Sequence, residues 1–458
     1  MTRNIRNIRN IGIMAHVDAG KTTLTERILL NTGRIHKAGD VDFGTTTTDC
    51  HALEKKHGIT ISAASVSCRW RDAGITIIDT PGHIDFQIEV ERSLRVLDGA
   101  IAVFCAVRGV EPQSEAVWRQ ASRFDVPRLC FINKMDQAGA NFASTVGMIA
   151  GRLAARPCVL QLPLGTERDF AGVIDLVSMT ALHWQGGAQP VQKAIPVGMR
   201  EGAMEARQRL LEQLAEEDDA ILAAWVHGET PAVSRIRAAI RKACVGGRLT
   251  PVLCGSAYRN VGVQPLLDAI VDYAPSPADR PAVSCVEPQS GRVEMRIPSA
   301  EEPFVGLVSK LEATRHGVLA FLRIYAGRIT PGSAVVNAAT GSVERIARLL
   351  RMECGSACVI GEASAGEVVA VIGLKSVRAG ETLSDPARPC VLEGFVIPEP
   401  VIEAVIEPAR RADQERLGEA LSRLARSDPS LRVTVDRENG GILLRGMGSC
   451  TSRSCLKH

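Results

Sequence analysis

IRNIGIMAHVDAGKTTLT, residues Ile8 to Thr25, is the segment around which the rest of the chain can be interpreted. An apolar run from Ile11 to Met14 is followed by small residues, and apolar positions then recur from Leu24 onwards. This pattern predicts a strand, a loop and a helix. The loop departs from the phosphate-loop pattern at one position, because Ala15 stands in place of the first glycine. Taken alone, the loop also fits an ordinary strand-to-helix turn with a solvated lysine.

The residue types of this loop suit a bound phosphate. Backbone N–H groups have to converge on the phosphate oxygens, and Gly20 allows that close approach. The helix N-terminus adds a field that favours anions. Lys21 would neutralise the β and γ phosphates, and the Thr22 hydroxyl would bind Mg²⁺. The predicted nucleotide-binding residues here are Ala15, His16, Val17, Asp18, Ala19, Gly20, Lys21, Thr22 and Thr23.

Composition places the chain among soluble globular proteins. Its 458 residues are enough for about three domains. A net charge of +3 argues neither for nor against a nucleic-acid partner. The basic N-terminus lacks the apolar core of a secretory signal, and no apolar run is long enough to span a bilayer. The 13 cysteines include no CxxC pair, which favours free thiols in a reducing cytosol over a zinc site. We therefore expect a cytoplasmic monomer without membrane contacts.

Two segments after the first helix are candidates for contact with Mg²⁺. Residues 34–60 are rich in Gly, Asp and Thr, and the hydroxyl or carbonyl of Thr60 at their end is predicted to reach Mg²⁺ when a γ-phosphate is present. Alternatively, Thr60 simply begins the next strand. Asp79 follows the buried-strand run Ile75 to Ile78, which suits a contact with Mg²⁺ through water.

The string that begins at Asp79 carries the predicted catalytic residue. Gly82 can offer its N–H to the γ-phosphate, and His83 is placed to orient the attacking water. The alternative for His83 is a solvated loop histidine. The predicted nucleotide-binding residues of this string are Asp79, Thr80, Pro81, Gly82 and His83.

Two later strand ends are predicted to recognise guanine. The Asp136 carboxylate can accept hydrogen bonds from N1–H and from the 2-amino group, which adenine lacks. Asn133 would buttress the loop and meet N7, and the backbone N–H of Ala257 would meet O6. The alternative for the first string is a plain amphipathic turn. The predicted base-binding residues are Asn133, Lys134, Met135, Asp136, Ser256 and Ala257. Five such elements at strand ends of a βαβ series predict an Mg²⁺-dependent GTPase.

The strings AHVDAGKTT, DTPGH and NKMD resemble those of translational GTPases. Three longer segments resemble bacterial elongation factor G, as does an insertion at about residues 157–247; the segments are Asp98 to Ala121, Asn133 to Phe142 and Gly262 to Pro277. QPLLDAIVDY and ANF favour that factor over the ribosome-protection factors that confer tetracycline resistance. The resemblance implies that Ala15 is an accepted substitute for glycine. It also implies that the residues above bind GTP/GDP and Mg²⁺, and that the ribosome is a partner.

Two departures from elongation factor G lie in the predicted switch loop. The factor usually reads RGITI where this chain has His57 to Ile61, and its acidic run is replaced by TTTTDCHALEKKHGIT. Both changes bear on how the loop couples to the ribosome more than on phosphate chemistry.

The predicted fold is an α/β phosphate-loop GTPase domain with a mostly parallel sheet, followed by an antiparallel β-barrel and an incomplete ferredoxin-like α+β domain. The expected ranges are 1–280, 281–399 and 400–448, with a tail at 449–458 outside the family pattern. In the barrel, the basic stretch Arg345 to Met352 either faces RNA or is a solvated edge. In the last domain, a helix over 412–429 would bury Leu417, Leu421 and Leu424.

The end of the chain departs from the family after Gly448. Read one base out of frame, one allowed set of codons for the tail encodes ELHLEVVLEA, which restores the family string. We therefore expect a frameshift, with a natural short paralogue as the alternative. The resemblance implies a ribosome-stimulated GTPase, truncated in its third domain and unable to translocate. The alternatives are a GTP/GDP-switched ribosome-binding module with negligible turnover, or a non-functional product.

Overall fold

The computed structural model describes residues 4–39, 64–79, 87–186, 189–314, 317–353, 356–393, 400, 402–406, 414–427, 431–435 and 442–446. Its helices are α1 Lys21–Asn31, α2 Gln87–Val96, α3 Pro112–Arg123, α4 Phe142–Leu153, α5 Val197–Ala215, α6 Asp219–Val226, α7 Val233–Val245, α8 Val263–Tyr273 and α9 Gln414–Ser427.

The strands up to the last helix of the first half are β1 Ile8–Ala15, β2 Ala64–Trp70, β3 Ala73–Asp79, β4 Gly99–Cys105, β5 Arg128–Asn133, β6 Pro157–Val159, β7 Gln161–Leu164, β8 Gly172–Asp175, β9 Thr180–His183, β10 Val191–Lys193 and β11 Thr250–Cys254. The later strands are β12 Val283–Val286, β13 Val293–Arg296, β14 Val305–Thr314, β15 Gly317–Ala326, β16 Arg328–Ile329, β17 Ala334–Asn337, β18 Val343–Arg345, β19 Arg348–Glu353, β20 Ser356–Ile360, β21 Ala363–Ser364, β22 Val368–Ile372, β23 Thr382–Ser384, β24 Val391–Leu392, β25 Ile402–Ile406, β26 Arg432–Val435 and β27 Ile442–Gly446.

The chain divides into two compact units. The α/β unit contains Arg9–Gly82 and Leu97–Asp279, and the β-rich unit contains Met1–Ile8, His83–Val96 and Arg280–His458. The domain limits inferred from the sequence stay a prediction.

The α/β unit is built on a seven-stranded sheet in the order β2-β3-β1-β4-β5-β11-β6. Parallel pairings join β1 to β4, β4 to β5, β5 to β11 and β11 to β6, whereas β2 and β3 pair antiparallel. Every residue of β1, β3, β4 and β11 is buried, which explains their continuous apolar runs. The mostly parallel sheet predicted from the sequence is confirmed. Its parallel strands bring the loops after β1, β4, β5 and β11 to one edge.

Residues of the predicted insertion form a second, antiparallel sheet in the order β10-β9-β8-β7, together with α5, α6 and α7. However, β6 lies at the start of that range and pairs with β11, so it belongs to the central sheet. None of the helices in the described part of the chain is long and apolar enough to cross a membrane.

The β-rich unit contains an eight-stranded antiparallel sheet in the order β18-β17-β23-β14-β15-β22-β19-β20. Apolar side chains such as Phe304, Leu322 and Val371 fill its core. The antiparallel architecture predicted for this part is confirmed, in the form of a half-barrel. Within the basic stretch, Arg351 is held by the buried carboxylate of Glu367, at 2.5 Å, so this side chain serves the fold.

The last described elements are α9 and a three-stranded antiparallel sheet in the order β25-β27-β26. Leu421 is buried with Ile406, Leu431 and Leu444, and two further helix positions pack against this cluster, Leu417 and Leu424. The predicted helix and its apolar face are therefore confirmed. The predicted tail, residues 449–458, lies outside the described residues.

Candidate nucleotide-binding site

The loop after β1 leads into α1 at Gly20, where the backbone conformation and the close approach of a neighbouring side chain both require glycine. Gly20 has φ +92°, in the left-handed region that residues with a side chain rarely adopt. A Cβ atom added to it would lie 2.4 Å from Nδ2 of Asn133, which is too close. The preceding Asp18 also has a positive φ, of 64°. The backbone at the helix N-terminus is therefore left open by the absence of a side chain, as a phosphate cradle requires.

Two residues predicted for the phosphates and the metal lie in direct contact. Nζ of Lys21, at the start of α1, is 2.8 Å from Oδ1 of Asp79, the last residue of β3. Both side chains are withdrawn from solvent, with 10% and 1% exposed. The ammonium compensates the charge of a carboxylate that would be costly to bury alone.

Asn133, at the end of β5, connects two other loops through its side chain. Its Nδ2 donates a 2.8 Å hydrogen bond to the carbonyl of Ala19, and its Oδ1 accepts a 2.8 Å bond from the N–H of Ala257. The N–H of Met135 also donates to the carbonyl of Gly255, at 3.2 Å. The buttressing contact expected of Asn133 is present. It ties together the phosphate loop and the two loops predicted to bind the base.

One predicted donor is already engaged. The N–H of Ala257, which the sequence assigns to guanine O6, donates to Asn133 instead. Ala257 and Ser256 are fully buried, and the Ser256 hydroxyl accepts a 3.1 Å bond from the N–H of Arg259. These two residues therefore shape the loop, and their contact with a base stays a prediction.

Of the three residues after Asn133 that are predicted to bind the base, two are half-buried at the same edge, Lys134 and Asp136, and Met135 is buried. Lys134 has φ 66°, so the chain reverses there, and Met135 points inward and is 1% exposed. Asp136 is half-buried and follows directly. A half-buried carboxylate remains accessible to a ligand, whereas Met135 serves packing.

Two predicted phosphate-loop residues are held by a segment to which the sequence assigned no role. Nε2 of His16 is 2.8 Å from Oε2 of Glu111, and the N–H of Val17 donates to the side chain of Gln113 at 3.1 Å. His16 is 3% exposed, and this burial lowers the pKa of its imidazole. In the sequence, the string that contains Glu111 and Gln113 carries a resemblance to elongation factor G but no predicted role in the site. No local pattern identifies its partner, which lies almost one hundred positions earlier.

The donor set near Lys21 suits Mg²⁺. Thr22 and Thr23 are half-buried in the first turn of α1, and Asp79 lies opposite the same turn. Hydroxyl and carboxylate oxygens are the ligands that this ion prefers, with phosphate and water completing its shell. The described residues contain no group of three or more His, Cys, Asp or Glu arranged around a metal, and Mg²⁺ held beside phosphates needs none. The remaining predicted site residues lie outside the described residues: Thr60, Thr80, Pro81, Gly82 and His83.

The fold of this chain is similar to that of a solved protein. One solved structure, the crystal structure of ttk003000868 from Thermus thermophilus, matches with a TM-score of 0.86 and 29% sequence identity. The match covers 99% of this chain and 66% of that chain, so this chain spans just under two thirds of that relative's length.

Family models match three parts of the chain. Residues 317–384 match elongation factor Tu domain 2, and residues 397–451 match elongation factor G domain III. Residues 6–276 match the elongation factor Tu GTP binding domain, and this match alone covers more than half of the chain. The chain therefore belongs to the translational GTPase family defined by the elongation factor Tu GTP binding domain.

Proposed function

We propose that the chain binds GTP with Mg²⁺ and hydrolyses it to GDP and phosphate, as an elongation factor of the elongation factor G type on the ribosome. The observation that carries the proposal is the pair of hydrogen bonds made by Asn133, to Ala19 and to Ala257. They bring a phosphate cradle and two candidate base-binding loops to one edge of the sheet. Family membership supports the same interpretation.

The phosphates would lie over the N-terminus of α1. Gly20 leaves its backbone open to them, and the Lys21 ammonium adds a positive charge. Because this ammonium already pairs with Asp79, phosphate oxygens would share it with a carboxylate. Thr22, Thr60 and, through water, Asp79 would hold Mg²⁺. When bound, the ion neutralises negative charge on the β and γ phosphates.

The base would be selected by Asp136. Its carboxylate accepts from the two adjacent donors of guanine, N1–H and the 2-amino group. Adenine presents an acceptor at N1 and lacks the amino group, so it would leave the carboxylate unpaired. The second Nδ2 hydrogen of Asn133 remains to meet N7, because the first is donated to Ala19.

Hydrolysis needs a water molecule in line with the γ-phosphate. We assign its orientation to His83 on the resemblance of DTPGH to the corresponding string of translational GTPases. An imidazole near neutral pH can hold a water by one nitrogen without being permanently charged.

Action on the ribosome is supported by the match of residues 397–451 to elongation factor G domain III. A soluble factor of this kind would act in the cytoplasm as a monomer. Coupling to the ribosome would appear as stimulated turnover.

Binding and turnover test the proposal in two steps. The affinities for fluorescent GDP and fluorescent ADP are measured in excess Mg²⁺, and GTP hydrolysis is then followed with and without ribosomes. We expect GDP to bind at least about a hundredfold more tightly than ADP, and ribosomes to raise turnover. Equal affinity for both nucleotides would refute base selection by Asp136. Tight GDP binding without stimulated turnover would leave a guanine-nucleotide switch and refute the enzymatic role on the ribosome.

A further inference from the structure

Four side chains from one short segment hold the first half of the phosphate loop; we call them the loop clamp, and all lie in the α/β unit. Two of them contact His16, and two contact the backbone of Val17. The loop clamp consists of Arg108, Glu111, Gln113 and Ser114.

Each ring nitrogen of His16 lies close to one residue of the loop clamp. Nε2 lies 2.8 Å from the carboxylate of Glu111, and Nδ1 lies 3.3 Å from the hydroxyl of Ser114. The contact at Nε2 is electrostatic, because its geometry is not that of a hydrogen bond. The contact at Nδ1 is a hydrogen bond shared with the hydroxyl. Together they hold the buried ring in one orientation.

The backbone of Val17 is held from both sides. Its N–H donates to Oε1 of Gln113 at 3.1 Å, and its carbonyl accepts from the guanidinium of Arg108 at 3.2 Å. The Val17 side chain is 39% exposed, so apolar burial does little to fix this residue. Its position depends on the two polar contacts.

The clamp is itself anchored away from the phosphate loop. The carboxylate of Glu115, one turn into α3, is 2.6 Å from the guanidinium of Arg152 on α4. Before the helix, Gly109 has φ +65° and donates to the carbonyl of Cys105 at 2.7 Å, which closes the turn after β4. The clamp therefore has a fixed frame against which the loop is positioned.

We infer that the loop clamp sets the affinity for nucleotide by holding the phosphate loop in its binding geometry, with Glu111 and Gln113 as positioning residues. The inference rests on the proposed function, because it concerns the same loop. Backbone N–H groups that already converge do not have to be ordered when phosphate binds. A loop that is not held would have to be ordered when nucleotide binds, and this loss of conformational entropy would weaken binding. Once nucleotide is bound, the reacting groups would be placed as in the parent protein.

Removing a clamp contact should therefore weaken binding without slowing hydrolysis at saturation. We expect Glu111→Ala and Gln113→Ala each to raise the dissociation constant for fluorescent GDP about tenfold. Glu111→Ala removes the carboxylate beside the buried His16 ring, and Gln113→Ala leaves the backbone N–H of Val17 unpaired. The maximal GTP turnover rate should stay within about twofold of the parent. The matched control is Arg119→Ala, an exposed position on the same helix, α3, which should bind like the parent.

The pH dependence of GDP affinity provides a second test, because it would not change if Glu111 had only a structural role. Glu111→Gln keeps a side chain of the same size beside Nε2 and removes the charge. The groups that act on the His16 ring are Glu111 and Asp18, which favour its protonated form, and Arg108 and Lys134, which disfavour it. Without the carboxylate, the imidazole is harder to protonate. The acid limb of GDP affinity against pH should therefore shift to lower pH in Glu111→Gln, with affinity at pH 8 within about threefold of the parent.

The outcomes separate this inference from the proposed function. If the parent protein fails to bind GDP, the proposed function falls. If the parent binds GDP and both alanine variants bind equally well, the loop clamp does not position the loop, although the proposed function stands. If Glu111→Ala does not fold, as judged by circular dichroism, Gln113→Ala and the pH profile of Glu111→Gln decide. The inference is overturned if the acid limb of Glu111→Gln is unshifted and Gln113→Ala binds GDP as tightly as the parent.

Discussion

Among single side chains, Asp136 offers the sharpest test of nucleotide recognition. Asp136→Asn replaces an acceptor by an amide that can donate to the 2-oxo group of xanthine, where guanine has a donor. We expect GDP affinity to fall by about a hundredfold or more and xanthosine diphosphate affinity to rise. Competition binding with both nucleotides measures the change. Unaltered GDP affinity would show that Asp136 does not contact the base.

His16 should make the protein sensitive to acid. Its burial holds the pKa of the imidazole below the usual value of 6.5. The unfolded chain then binds this proton more readily than the folded chain. The stabilisation is therefore complete above pH 6.5 and is lost as the pH falls below it.

The comparison that isolates this effect is between the parent and His16→Gln. Gln places a polar group beside Glu111 but does not titrate. Urea unfolding at pH 7.5 and pH 5.5 should show a smaller loss of stability in the variant than in the parent. An equal loss in both proteins would mean that His16 does not contribute to the acid sensitivity.

The turn into α1 should tolerate no side chain at Gly20. Gly20→Ala places a methyl group 2.4 Å from Nδ2 of Asn133 at a φ of +92°. We expect GDP affinity to fall about tenfold or more, because strain and collision together displace the loop. Gly33→Ala is the control, since Gly33 also has a positive φ, +68°, but nothing lies within 4 Å of its added Cβ. Similar affinities in the two variants would mean that a side chain at Gly20 does not displace the loop.

The packing of α9 should determine whether its small sheet stays folded. Leu421→Ala removes a side chain that is 2% exposed from the cluster with Ile406, Leu431 and Leu444. Such a truncation costs about 2–5 kcal/mol. Hydrogen exchange should become faster across α9 and β25 to β27, with little change in the α/β unit. Ser422→Ala, at the exposed neighbouring position, should leave exchange as it is. Unchanged exchange in Leu421→Ala would show that this contact does not hold the helix.

At the scale of the whole molecule, nucleotide should stabilise the α/β unit selectively. GDP binds the folded α/β unit, so at a free concentration about 100 times the dissociation constant it adds about 2.7 kcal/mol to that unit. Calorimetry with and without GDP should raise the transition of this unit and leave that of the β-rich unit in place. A shift of both transitions by the same amount would mean that the two units unfold together.

Much of the architecture could be predicted from local patterns in the sequence. The buried runs of β1 and β4 and the leucine spacing of α9 are consequences of periodicity and burial, and each is present as predicted. The turn at Gly20 also follows from its residue type.

Contacts between distant segments were not visible in the sequence. The pairing of Lys21 with Asp79, the bond from Ala257 to Asn133 and the bond from Val17 to Gln113 each depend on which strands are neighbours. A residue type shows what a side chain can donate or accept, but the partner is set by the order of strands in the sheet. For the same reason, the place of β6 in the central sheet could not be seen in its three residues.

The two bonds of the Asn133 side chain also have an evolutionary consequence. Aspartate at this position would keep the acceptor for Ala257 but lose the donor for Ala19, whereas a lysine would do the reverse. The amide supplies both functions at the reach that these two contacts need. A substitution of Asn133 would disturb three loops at once. We therefore expect few single mutations at this position to be tolerated during evolution.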